Sequence, residues 1–201
     1  VVGKCKGAAF RCVINMSIGG GLDTSLNTAV NNAVDYGVFV VVAAGNNNAK
    51  DACKYSPSSA GKAVTVGSTT NTDTKSSFSN IGNCVDVYAP GSNIISASIS
   101  SNTGTTTMNG TSMASPRKFE SLPKCIPYHT FSFRQKMYTQ VCSLIALCCL
   151  DVAGMAAAIL SQNPSLTPSQ VRDAIVNKAK MIPSSSPTTP TWYIATDCSS
   201  S

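Results

Sequence analysis

The chain has 201 residues, 43% hydrophobic and 12% charged, which is enough apolar material for a buried core and a size that fits one domain. Half of its formal charge of +6 comes from residues 117–151, where Arg117, Lys118, Lys124, Arg134 and Lys136 are offset only by Glu120 and Asp151. The rest is too scattered for a nucleic-acid face, and the composition excludes disordered and fibrous classes.

The first residue is Val1, with neither Met nor a leader before it, so the expectation is a fragment or processed form. Cys12 to Ser17 (CVINMS) is a short apolar run meeting Gly19-Gly20-Gly21, which predicts a buried strand ending in a glycine loop. Asp23 and Thr24 offer caps for a helix to about Tyr36, with Leu26, Val30, Ala33 and Val34 at helical spacing and Gly37 as its stop. Val38 to Ala44 (VFVVVAA) is continuously apolar and β-branched, as a central strand covered on both faces would be. Further short strands are predicted at Ala63 to Gly67 and Cys84 to Tyr88. Thr167-Pro168-Ser169-Gln170 is a capping box with proline in the first turn, opening a helix to about Lys180. Pro183 to Ser201, rich in Pro, Ser and Thr, reads as linker or frayed end. Strand, helix and strand with glycine at the strand ends is the rhythm of an α/β sheet.

A nucleophilic serine needs small neighbours so that a carbonyl can approach, and a following helix aims its first amides at developing negative charge. Gly110-Thr111-Ser112-Met113-Ala114-Ser115-Pro116 has that form, although it lacks the second glycine of a G-x-S-x-G elbow. Alone, it reads equally as a small-residue turn before a helix. Two other segments extend it. VVAAGNNN, Val41 to Asn48, ends a strand in an amide able to donate to an oxyanion. NMSIGGG, Asn15 to Gly21, ends another with backbone free to pair with an extended peptide.

These segments, in this order, resemble the subtilisin family of serine proteases, most closely its secreted proteinase K and aqualysin branch. YSPSSAGKAVTVGSTT, SSFSNIGNCVDVYAPG and NGTSMASP carry the same resemblance, which covers Asn15 to Pro116 and resumes at Val152. It implies a three-layer, doubly wound, mostly parallel α/β sheet, of which this chain holds a part. It also implies Ser112 as nucleophile and Asn46 as side-chain oxyanion donor beside the Ser112 backbone N–H. Ser17, Ile18 and Gly19 would form a substrate-binding strand, and Ala43, Ala44 and Gly45 a wall of the first specificity pocket, whose small residues suit large apolar side chains. In subtilisin, the family's own worked case, loss of such an oxyanion donor costs about 10²–10³ in turnover. A serine hydroxyl also needs a positioned imidazole and an orienting carboxylate. The family places both upstream of the glycine-loop strand, whereas the one histidine here, His129, follows Ser112. The expectation is an endopeptidase half-site, inactive alone.

The family continues S-M-A-[ST]-P with H-V-A-G. Here Pro116 is followed by Arg117 to Asp151 and then VAGMAAAILSQNPSLTPSQV, so the histidine is replaced by 35 residues. Arg117-Lys118-Phe119 can be encoded CGT AAG TTT, containing C before the splice-donor sequence GTAAGT, and Leu150-Asp151 can be encoded CTA GAY, containing an acceptor AG before AY. Joining C to AY restores a histidine codon in frame. Residues 117–151 are therefore expected to be translated intron, dividing the catalytic domain into 1–116 and 152–182, with the tail at 183–201. Breaking the helix that starts at the nucleophile predicts an unstable or inactive product. The apolar run Val141 to Leu160 is not expected to span a membrane, because Asp151 at its middle would cost about 2.5–3.5 kcal/mol.

Of nine cysteines, Cys125, Cys142, Cys148 and Cys149 lie in the insert without a zinc spacing. By resemblance Cys53 and Cys84 form a disulfide, as suits a secreted enzyme; reduced cytosolic thiols are the alternative. Cys5 and Cys12 flank a short loop and either pair or stay reduced, and Cys198 is single or paired elsewhere. Catalysis requires no cofactor. The resemblance also implies a structural calcium on the carbonyls of Gly61 and Ala63 with the Asp86 carboxylate, though Asp86 serves equally as a turn cap. Two glycosylation sequons, at Asn15 and Asn109, are expected to stay unmodified. The expected partners are protein or peptide substrates, with no nucleic acid, no membrane and a monomeric state. The rival reading is a non-catalytic decoy or binding protein on the same scaffold.

Overall fold

The computed structural model describes Cys5, residues 12–114, 152–181 and Trp192–Tyr193. The expectations for the insert 117–151, for His129 and for most of the 183–201 tail lie outside these residues, as do Cys125, Cys142, Cys148, Cys149 and Cys198.

The CVINMS run forms β1 (Val13–Met16), and the glycine loop after it contains a two-residue strand, β2 (Gly20–Gly21). Helix α1 (Thr24–Asp35) starts where Asp23 caps it: the Asp23 carboxylate accepts from the backbone N–H of Ser25 at 2.8 Å and Leu26 at 3.1 Å. It stops at Gly37, whose φ of +86° lets the chain turn back while its N–H reaches the Val34 carbonyl. The valine run gives β3 (Phe39–Ala43), buried at every position. A short 3₁₀ turn (Ala52–Lys54) leads into β4 (Tyr55–Ser56). There follow β5 (Val64–Thr69), β6 (Val87–Pro90), the hairpin β7 (Ile94–Ala97) and β8 (Thr105–Met108), and helix α2, described over Thr111–Ala114. After residues 117–151 come α3 (Val152–Gln162), α4 (Pro168–Val176), β9 (Lys180–Met181) and β10 (Trp192–Tyr193).

Among the described residues, six strands make the main sheet in the order β1-β3-β5-β6-β10-β9, parallel except where β10 meets β9. Alternation along β3 explains the layers. Phe39 and Val41 face a cluster with Val152, Met155, Val171 and Ile175 of α3 and α4, while Val38, Val40 and Val42 face Val30 and Ala33 of α1. The sheet is thus covered on both sides, and each of these aliphatic side chains contributes about 1.5–3 kcal/mol by leaving water. Ala114 and Val152, on either side of the insert, share the first cluster.

Three expectations are corrected. The strand expected from Cys84 begins only at Val87, because Cys84 is tied to Cys53 and the Asp86 N–H turns to the Thr65 carbonyl. The last helix keeps its Thr167–Gln170 capping box but ends at Val176, since Lys180 and Met181 leave it to pair with β10. Trp192–Tyr193, expected to be linker or frayed end, joins the sheet beside β6.

Candidate active site

Because β1 and β3 run parallel, the chain leaves both at the same edge of the sheet, which is where open α/β sheets bind ligands. Ser17, Ile18 and Gly19 follow β1; Ala44, Gly45 and Asn46 follow β3. Helix α2 brings Ser112 to the same edge: Ser112 Oγ donates to the Ser17 carbonyl at 3.2 Å, and Ser17 Oγ donates to the Ser112 carbonyl at 3.0 Å. The Asn15 amide donates to Ser17 Oγ at 3.0 Å.

The Asn46 carboxamide is oriented by Thr111, which is fully buried. Asn46 Oδ1 accepts from both the Thr111 N–H and the Thr111 hydroxyl at 2.9 Å each, and Thr111 Oγ1 in turn accepts from the Gly45 N–H at 3.1 Å. With its oxygen held twice, Asn46 can only present Nδ2 outward, and among the described residues Nδ2 has no hydrogen-bond partner. Nδ2 and the Ser112 backbone nitrogen lie 3.4 Å and 3.6 Å from the point a Cβ on Gly110 would occupy, so two donors flank one small space. Gly45 must be glycine: its φ is +99°, and a Cβ would stand 2.6 Å from Asn80 Nδ2.

A cavity of about 300 Å³ opens beside these groups. Ile18, Gly19, Ala43, Ala44, Gly45, Asn46 and Ser112 line it; Ser17 does not. Sequence reasoning missed Gly20, Gly21, Asn47, Tyr55, Ser58 and Thr111. Pairing of β2 with β4, Gly20 opposite Ser56 and Gly21 opposite Tyr55, carries the tyrosine there, a long-range contact with no local signal. The Ser58 hydroxyl is turned to the carbonyls of Ala52 and Tyr55, and among the described residues no charged side chain lines the cavity.

Cys53 and Cys84 form the expected disulfide across 31 positions, and Cys5 pairs with Cys12. Asp86 is held between two elements. Its Oδ1 meets Arg172 of α4 and its Oδ2 accepts from the Thr65 N–H at 2.7 Å. Burial pushes its carboxyl above the ordinary 3.8, against the pull of the Thr65 amide and Arg172. A calcium ion on the Gly61 and Ala63 carbonyls would have to share the Asp86 carboxylate with Arg172 and the Thr65 amide, which engage one oxygen each. Among the described residues no three His, Cys, Asp or Glu side chains cluster as a metal site, and no helix is long and apolar enough to cross a membrane.

The subtilase family model matches residues 10–117. An extracellular serine proteinase of Thermus sp. (strain Rt41A) is 45% identical over 164 residues, 82% of this chain and 32% of that protein. Alkaline serine exoprotease A of Vibrio alginolyticus is 45% identical over 167 residues, 83% of this chain and 24% of that protein. Among solved structures, a cold adapted subtilisin-like serine proteinase superposes with a TM-score of 0.70 at 37% identity, over 96% of this chain and 57% of that one. The chain therefore spans about a quarter to a third of these curated relatives and just over half of the solved structure. With its glycine loop, its strand-end asparagine and its serine at one sheet edge, the chain belongs to the subtilase family.

Proposed function

We propose that this chain is the serine-bearing part of the catalytic domain of a secreted endopeptidase. Subtilases need no cofactor for catalysis. Ser112 Oγ attacks a peptide carbonyl carbon while its proton passes to an imidazole; the carbonyl oxygen becomes an oxyanion, accepting from Asn46 Nδ2 and the Ser112 N–H. Collapse expels the amine, which takes the proton, and leaves an ester on Ser112 that water hydrolyses. The observation that carries this reading is the double anchoring of Asn46 Oδ1 on Thr111, which leaves the amide hydrogens beside the serine. An uncharged cavity with Ala43 and Ala44 in its wall suits a large apolar side chain before the scissile bond. Disulfides Cys5–Cys12 and Cys53–Cys84 support an extracellular destination.

The imidazole and its carboxylate are assigned to sequence upstream of the glycine loop, so the chain alone is inactive. Residues 117–151 are assigned to translated intron. The family match ending at residue 117 and the shared burial of Ala114 and Val152 support that assignment. One observation favours the decoy reading: the Ser112 hydroxyl is spent on the Ser17 carbonyl, with no base beside it among the described residues. A fluorophosphonate probe tests both. On the contiguous full-length protein it labels Ser112 and Ser112→Ala abolishes labelling; absence of labelling on the intact protein sinks the protease reading.

A further inference from the structure

Asn80 is wholly buried, far along the chain from Asn46, and every polar group of its side chain is spent on the loop that carries Asn46. Asn80 Nδ2 donates to the Ala44 carbonyl and to Asn47 Oδ1, both at 2.9 Å, and Asn80 Oδ1 accepts from the Asn47 N–H at 3.0 Å. Its own backbone N–H donates to the Gly45 carbonyl at 2.9 Å, and two residues before it the Phe78 carbonyl accepts from the Asn48 N–H at 3.1 Å. The backbone is thus held at residues 44, 45, 47 and 48. Asn46 is the one residue of the loop that these contacts bypass, and its side chain is held from the opposite side by Thr111. The fit is close enough that a Cβ on Gly45 would touch Asn80 Nδ2.

We propose that Asn80 is a positioning residue for the oxyanion site: it fixes the loop so that Asn46 Nδ2 stays aimed at the developing charge, without touching substrate itself. The inference rests on the reading of Asn46 as oxyanion donor. The carboxamide is the side chain the task demands, because only an amide both donates twice, to Ala44 and Asn47, and accepts once, from the Asn47 N–H. A fully satisfied buried network of this kind rigidifies what it holds, and a displacement of about 1 Å at a reacting centre costs on the order of 10² in rate.

The test is a double-mutant cycle on the contiguous full-length protein, with kcat expressed per active site titrated by a fluorophosphonate. Asn80→Ala lowers kcat about 10–100-fold and leaves KM within about threefold, as expected for an interaction felt only in the transition state. Asn46→Ala/Asn80→Ala falls no more than about threefold below Asn46→Ala, because the clamp has nothing left to aim. A role in stability alone would lower the titrated fraction and leave kcat per site unchanged in Asn80→Ala, whereas an effect on kcat independent of Asn46 would multiply with Asn46→Ala; either result overturns the proposal. Should Asn80→Ala not fold, Asn80→Asp carries the cycle, keeping an acceptor for the Asn47 amide while removing both donations. Amide exchange gives a readout without activity: in Asn80→Ala the Asn47 N–H exchanges at least about tenfold faster, while the Ala44 N–H, bonded to the Val66 carbonyl, keeps its protection. Unchanged protection at Asn47 sinks the clamp. A parent protein whose Ser112 does not label, or whose kcat ignores Asn46→Ala, instead overturns the oxyanion reading and the clamp with it.

Discussion

Asn46 and Asp86 both sit at strand ends and both are gripped by another element, yet they are left in opposite conditions. Thr111 saturates the oxygen of Asn46 and leaves its two amide hydrogens unspent. Asp86 has both oxygens engaged, one by Arg172 and the other by the Thr65 amide, and no hydrogen to offer. What a polar side chain can do is decided by the capacity its neighbours leave over. By that measure the asparagine keeps the donors that the proposed function requires, and the aspartate is a fastening.

The contrast is broken most strongly from the Asn46 side. Asn46→Ala in the full-length protein should lower kcat about 10²–10³-fold, the loss of one oxyanion donor, while Thr111→Val, which keeps the N–H bond but removes the hydroxyl, should cost about tenfold. Steady-state kinetics on a peptide ester and amide check both, and equal losses for the two variants would mean that Thr111 does more than orient. On the other side, Arg172→Ala strands a carboxylate whose side chain is 12% exposed. Because the guanidinium is itself 40% exposed, the expected destabilisation is about 1–2 kcal/mol, below that of a fully buried pair, measured by urea unfolding of the contiguous full-length protein and unaccompanied by any change in kcat per active site.

The smallest effect concerns pH. The folded chain holds the Asp86 proton more tightly than the unfolded chain does, because burial raises its pKa above 3.8. This group's contribution to stability therefore grows as pH falls through the window just above 3.8, opposite to an ordinary ion-paired carboxylate. In Arg172→Ala, where the main opposing charge is gone, the window extends higher. Urea melts between about pH 6 and 4 should show the slope, and Asp86→Asn should flatten it; a slope of opposite sign would mean that the ion pair outweighs burial.

Much of this was legible in the sequence, because it was written locally. Asp23 and Thr167 announce their helices through side chains that reach only three positions, and the valine run of β3 needs both faces covered wherever it lies. The small residues around Ser112 and the strand-end Asn46 could be read through motif resemblance. Other features depend on contacts between distant positions and leave no local trace. Arg172 finds Asp86 across 86 positions, Tyr55 reaches the cavity through its pairing with Gly21, and Asn80 in SSFSNIG looks like any turn residue. The β7–β8 hairpin escaped because IISA and TTTM carry too little apolar alternation to mark strands. Residues Trp192 and Tyr193 were hidden by the Pro, Ser and Thr around them.

The carboxyl edge of the parallel sheet gathers Ser17, Asn46 and Ser112 from three separate stretches of chain. Parallel pairing closes long loops and forms slowly during folding. On the function proposed above, no stretch of chain emerging from the ribosome carries the three groups together, and the site exists only once the sheet has closed around it.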